Sequence, residues 1–323
     1  MTASPAPTTF FREIANNRRS SWLLVIVVVL VLGALGAAIG YATGFGWGGV
    51  VIALVVAFFM SIGSYYAGDQ LVLASSGAQL IPQENPPEQY QQLLNVVTEM
   101  TLASGLPMPK VYVINDTAPN AFATGRDPKH ASVAVTSGLL QKMDREELQG
   151  VLAHELSHVG NYDIRFSLLV GVLVGSIALL ADWFLRFTFW GGGRRSSNDR
   201  GGGGGLVAIL FVIALILAVI APIIGRLVQL AVSRRREELA DVSAVELTRN
   251  PMGLARALRT IADDPEVLEV ANRATQHLYI VNPIKSFEKR ASSMWDTHPP
   301  IAERIAVLQG LAGQYGQDPA AFK

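Results

Sequence analysis

Residues 151–160 read VLAHELSHVG, and the HELSH within them sets His154 and His158 four positions apart with Glu155 beside the first. On an α-helix that spacing stacks the two imidazoles on one face, so two ring nitrogens can meet at one point. Glu155 lies about 100° further round, within reach of a water held at that point and outside the ligand set. Two neutral histidines, one further protein ligand and a water make a hydrolytic zinc site. There the metal brings the water's pKa towards neutrality, and the glutamate takes its proton and passes it to a leaving amine. The alternative is an ordinary helix that carries two of the chain's five histidines by chance, a match of roughly one in a hundred or rarer on composition.

A third ligand should be an acid or a histidine on another element. SRRREELADVSAVEL begins at Ser233, and in it Glu237 and Asp241 sit one helical turn apart on a common face. Glu237 is placed to complete a His-His-Glu set, and Glu238 is a competitor that spacing does not exclude. Asp241 is placed to hydrogen-bond a ligating imidazole and fix its tautomer. An exposed acidic helix face, with Arg234, Arg235 and Arg236 as neighbours, is the plain structural alternative.

The elements that carry these residues belong to an unusually apolar chain. Half of the 323 residues are hydrophobic and 16% are charged, values that suit a membrane protein better than a soluble enzyme. No Asp, Glu, Lys or Arg occurs from Ser20 to Gly68. Trp22–Ile39 and Val50–Ala67 flank the turn-like TGFGWGG, and each approaches the length of about 20 residues that spans a bilayer core. A transmembrane hairpin over 21–68 follows, after a short segment 1–20. Arg12, Arg18 and Arg19 hold the N-terminus in the cytoplasm, so the residues after Asp69 begin on that side. Formal net charge is zero, which gives no ground for a nucleic-acid partner. The absence of cysteine removes disulfide scaffolds and thiolate metal sites.

Residues 69–165 read as the first part of a cytosolic domain, the part that carries the HELSH helix. IPQENPPEQY marks a linker, an amphipathic helix follows from Glu88 to about Ala103, and PKVYVI, NAFATG and ASVAVTSG predict a small sheet. Asp144 with Glu147 three residues on is a capping box that opens the HELSH helix, which is expected to run on towards a third apolar segment. That segment, Phe166–Leu180, and a fourth, Leu206–Gly225, form a second apolar hairpin over 166–230. Crossing of the membrane is the preferred reading, and buried core helices or a hairpin that only dips into the bilayer are the alternatives. The loop between them, 191–205, holds eight glycines with Arg194, Arg195 and Arg200. Its composition predicts a flexible linker, and its arginines run against the positive-inside bias if both segments span. Residues 231–323 are charged and helical in pattern and form the second part of that cytosolic domain.

NAFATG, the SGLL and HELSH block, SRRREELAD and THPPIAERI occur in an order that resembles the HtpX-type membrane zinc metallopeptidases, relatives of the CAAX prenyl proteases. The resemblance implies a mainly α membrane protein, with a zincin-like (gluzincin) domain and its small β-sheet interrupted by the second apolar hairpin. It maps the third zinc ligand onto Glu237 rather than Glu238 and the supporting acid onto Asp241. It further implies that Asn120, Ala121 and Phe122 lie along a sheet edge that meets the substrate, and that His298 steadies an oxyanion. His130 and His277 match no signature and read as surface or core histidines. The implied activity is cleavage of misfolded or membrane-embedded proteins at a cytoplasmic, zinc-bearing site in the cell membrane, often beside a larger ATP-dependent membrane protease. Two other readings remain: a prenyl-protein processing enzyme, whose relatives use seven spans against the four available here, and a zinc-bound scaffold that cleaves nothing. The glycine- and arginine-rich loop departs from the family pattern and leaves the ligand set untouched.

Overall fold

The computed structural model describes residues 46–166, 236–269, 279–280 and 299–318, with isolated positions between 19 and 40. Most of the first arm of the N-terminal hairpin, the apolar segments after Phe166, the glycine-rich loop, His277 and His298 lie outside the described residues. Two compact units divide the chain: 1–17, 67–168 and 230–323 form one, and 18–66 with 169–229 form the other. The second arm of the hairpin is a helix, α1 (Trp47–Ser75), with Asp69 as its one charged residue. Five of its side chains fall outside the description. Over those that remain, no helix is long and apolar enough to cross a membrane.

In the first unit, β1 (Gln79–Leu80), β2 (Lys110–Ile114), β3 (Ala121–Gly125) and β4 (Ala131–Thr136) make a sheet of order β1-β2-β4-β3. β4 runs parallel to β2 and antiparallel to β3, pairing Ala123 with Val133. Strand side chains alternate between faces. One face, with Val111, Val113, Ala121, Ala123, Val133 and Val135, shares a core with α2 (Gln91–Ser104) and α4 (Arg145–Gly160). The other carries Ile114, Phe122 and Ala134 against Tyr279. This is the small sheet foreseen from the sequence, with β1 added: a two-residue strand offers no period to read.

After the one-turn helix α3 (Ser137–Lys142), α4 starts at the anticipated capping box. Asp144 Oδ1 accepts from Glu147 N at 2.9 Å and Glu147 Oε2 accepts from Asp144 N at 3.0 Å. Val151, Leu152, Leu156 and Val159 are buried along α4, each contributing about 1.5–3 kcal/mol on removal from water. α4 also crosses α6 (Pro251–Asp263) closely. A Cβ added at Gly150 would lie 2.7 Å from Leu254 N, so only glycine permits that approach.

The helix does not continue into the third apolar segment as expected. It stops at Gly160, Asn161 caps it, and Tyr162 adopts a left-handed φ of 61° before a new turn begins at Asp163. A non-glycine residue held there costs on the order of 1–2 kcal/mol. The break redirects the chain so that Asp163 faces α4 instead of following it outward. Helix α5 spans residues 236–248, and α7 (Ile301–Ala312) closes the unit against α6.

Candidate metal centre

α4 and α5 bring three donors together. His154 Nε2 and His158 Nε2 are 3.2 Å apart, and Glu237 carboxylate oxygens lie 3.5 Å from the first and 3.6 Å from the second. Donors bound at about 2.0–2.1 Å to a tetrahedral zinc sit about 3.3 Å from one another. The observed triangle therefore has the size a zinc ion requires. Among the described residues, these three are the group able to hold a metal. Glu237 is buried at 6% exposure whereas Glu238 faces solvent, so it is Glu237 that shares this group with the two histidines.

Glu155 is buried beside the triangle, and its Oε1 has no hydrogen-bond partner. A buried carboxylate oxygen left without a partner is costly, and a water held at the metal would satisfy it. Burial pushes the Glu155 carboxyl up, against the opposing influence of His154 and His158.

Each histidine is held from behind by a carboxylate. His154 Nδ1 is 2.9 Å from Asp241 Oδ1 and His158 Nδ1 is 3.1 Å from Asp163 Oδ2. Both Nε2 atoms are thereby left to face the triangle. Burial depresses the His154 pKa, but hydrogen bonds to Asp241 and Glu237 outweigh it and raise it to about 9. The same contest, with Asp163 as the main opposing partner, raises His158. Asp241 is lowered: burial works against its charge, and Arg304 and His154 prevail.

Arg304, on α7, is 3% exposed and was not anticipated. Its Nε and Nη2 donate to the two oxygens of Asp241 at 2.8 and 2.7 Å, its Nη1 donates to Ile280 O at 3.1 Å, and Nη1 also lies 3.4 Å from Glu237. One guanidinium thus fixes the Asp241 carboxylate and borders the third donor. The sequence holds a signal for it in THPPIAERI, a stretch in which the resemblance assigns a role to His298 alone.

The sheet edge is more enclosed than expected. Asn120, Ala121 and Phe122 are at most 4% exposed. Asn120 Oδ1 accepts from Ala121 N, Ala121 O accepts from Ile280 N at 3.0 Å, and Phe122 packs edge-on against Tyr279. None of the three offers a side chain to solvent. Further along β3, the Ala123 backbone N–H faces Glu155. His298 lies outside the described residues, and His130 is an exposed histidine paired with Asp127 at 2.8 Å, as its surface reading required.

A short HELSH helix packed on a small sheet, with an acid donor from a second helix, defines a peptidase class. The model of Peptidase family M48 matches residues 87–312, and the chain belongs to that family. Within it the relatives are HtpX-type proteases. The chain is 44% identical to the Protease HtpX homolog of Streptococcus thermophilus over 303 residues, covering 93% of this chain and 99% of that one. It is 40% identical to the Protease HtpX homolog of Dictyoglomus thermophilum over 309 residues, covering 96% and 97%. Among solved structures it resembles S. mikatae Ste24p in fold, with a TM-score of 0.50 at 19% identity. That match covers 90% of this chain and 66% of the Ste24p chain.

Proposed function

We propose that the chain is an integral-membrane zinc endopeptidase that cleaves misfolded or membrane-embedded proteins. The donor triangle of His154, His158 and Glu237, with Glu155 buried beside it, carries this reading. The three donor residues would hold zinc, which when bound would supply a water of near-neutral pKa and a Lewis acid for the scissile carbonyl. Glu155 takes the water's proton on its unpartnered oxygen and delivers it to the leaving amine. Asp241 and Arg304 hold His154 in the tautomer that points Nε2 at the donor triangle. His298 is assigned to the oxyanion on resemblance alone. The substrate chain adds to β3 beyond Ala121, at Ala123 and Gly125, while Asn120, Ala121 and Phe122 form the packed start of that edge.

The membrane part of the reading rests on α1. Trp47 and Tyr66, both more than 60% exposed, sit near the two ends of an uncharged stretch. At 1.5 Å per residue they are about 28 Å apart, close to the hydrocarbon thickness that aromatic belts bracket. Between them Val51, Ile52, Val55, Phe58 and Phe59 are exposed, an apolar surface suited to lipid. The arginines before Ser20 favour a site on the cytoplasmic side, where a larger membrane protease is a candidate partner.

A non-proteolytic scaffold has no use for a buried, unpartnered general base at its metal. Prenyl-protein processing is separated by experiment. Detergent-purified chain loaded with zinc is offered an unfolded membrane-protein reporter and a prenylated C-terminal peptide, and the products are mapped by mass spectrometry. Cleavage at internal bonds of the reporter is expected; cleavage confined to the prenylated peptide would overturn the quality-control reading.

A further inference from the structure

Two carboxylate-arginine pairs stand behind the donor triangle, and the reading above uses only one of them. The second is Asp163 with Arg236. Asp163 Oδ2 is 3.1 Å from His158 Nδ1, and its other oxygen, Oδ1, is 3.1 Å from Arg236 Nη1. Asp163 and Arg236 are 3% and 5% exposed, so neither charge is solvated from outside. Arg236 also stacks on Phe166 with its guanidinium carbon 3.6 Å from the ring centroid. On an uninterrupted helix, Asp163 would be five residues past His158 and about 140° away from it round the axis. The left-handed turn at Tyr162 removes that separation.

We infer that Asp163 and Arg236 form a positioning pair for His158, and that the break after α4 exists in the fold to bring Asp163 behind that histidine. The inference rests on the zinc reading of the triangle. Asp163 fixes which ring nitrogen of His158 faces the metal, as Asp241 does for His154. Arg236 directly precedes the donor Glu237, so its pairing with Asp163 also ties the start of α5 to the end of α4. One carboxylate thereby faces both the ring of His158 and, through an ion pair, the residue that precedes Glu237. Arg236 sets a guanidinium against the buried oxygen of Asp163 that His158 does not use.

The test compares the native full-length chain with Asp163→Ala, Asp163→Asn and the double variant Asp163→Asn/Arg236→Met, all in detergent. Zinc dissociation constants come from competition with a chromophoric chelator, cobalt(II) spectra report donor geometry, and melting of the metal-free forms reports fold stability. Asp163→Ala is expected to weaken zinc about 10–100-fold and to alter the cobalt spectrum. Asp163→Asn keeps an acceptor but leaves Arg236 unbalanced, so adding Arg236→Met should recover part of the lost affinity. If Asp163→Ala does not fold, the Asn variant and the double variant decide. Native zinc affinity and an unchanged cobalt spectrum in those two, with only the metal-free melting lowered, would overturn the inference and leave the zinc reading intact. Failure of the native chain to bind either metal would overturn both.

Discussion

Zinc binding at the donor triangle would displace a proton from His154, and the proposed metal site would therefore carry a defined pH dependence. In the metal-free fold Asp241 and Glu237 outweigh burial and hold the His154 pKa up at about 9, against 6.5 in the unfolded chain. Below the folded value the ring carries a proton that zinc must remove, so apparent affinity rises about tenfold per pH unit for that one proton. Between pH 7 and pH 9, where the slope flattens on reaching the pKa, His154 alone therefore accounts for roughly 50-fold, and the raised His158 steepens the dependence further. The linkage has the opposite sign for the metal-free protein. A raised histidine pKa contributes stability that is fully present below 6.5 and is lost as pH rises through about 9. Its magnitude is on the order of 3 kcal/mol. Chelator competition at pH 7, 8 and 9, corrected for protonation of the chelator, measures the first effect, and urea unfolding of the metal-free chain at the same pH values measures the second. Asp241→Asn should flatten the zinc slope, because the charge that holds the proton is gone. Zinc affinity that is flat from pH 7 to 9 in the native chain would refute the reasoning.

Glu237→Gln should weaken zinc severely while Glu238→Gln leaves it unchanged, because the first is buried at the triangle and the second faces solvent; isothermal titration distinguishes them. Arg304→Ala leaves a buried Asp241 without its bidentate partner and should destabilise the fold by about 3–5 kcal/mol, read as a lowered urea midpoint. Gly150→Ala forces α4 away from Leu254 and should cost about 1–3 kcal/mol in thermal melting.

The local signals in the sequence are sufficient for the HELSH helix. Asp144 and Glu147 marked its start, the His154–His158 spacing marked its functional face, and the alternating strands of the sheet were where β-branched residues and turns put them. What spacing left open was the choice between Glu237 and Glu238, since adjacent helical residues differ in burial only once α5 has a neighbour. The stop at Asn161 was missed because Asn161 and Tyr162 are neither glycine nor proline, and the apolar pattern reads straight through them. The sequence assigns Arg236 only a place beside an exposed acidic face and Arg304 no role, for a related reason. Their partners, Asp163 and Asp241, lie more than 60 residues away in the chain, and a pairing of that range leaves no period to detect. The closure of the sheet edge at Ala121 likewise depends on Ile280, which the strand motif does not contain.

Zinc content and casein cleavage, measured side by side on detergent-purified native chain and Glu155→Gln, test the metal-centred mechanism most directly. One zinc per chain in both, with cleavage present in the native chain and lost in the variant, is the predicted result. Undiminished cleavage by Glu155→Gln, or cleavage by native chain stripped of zinc, would contradict it.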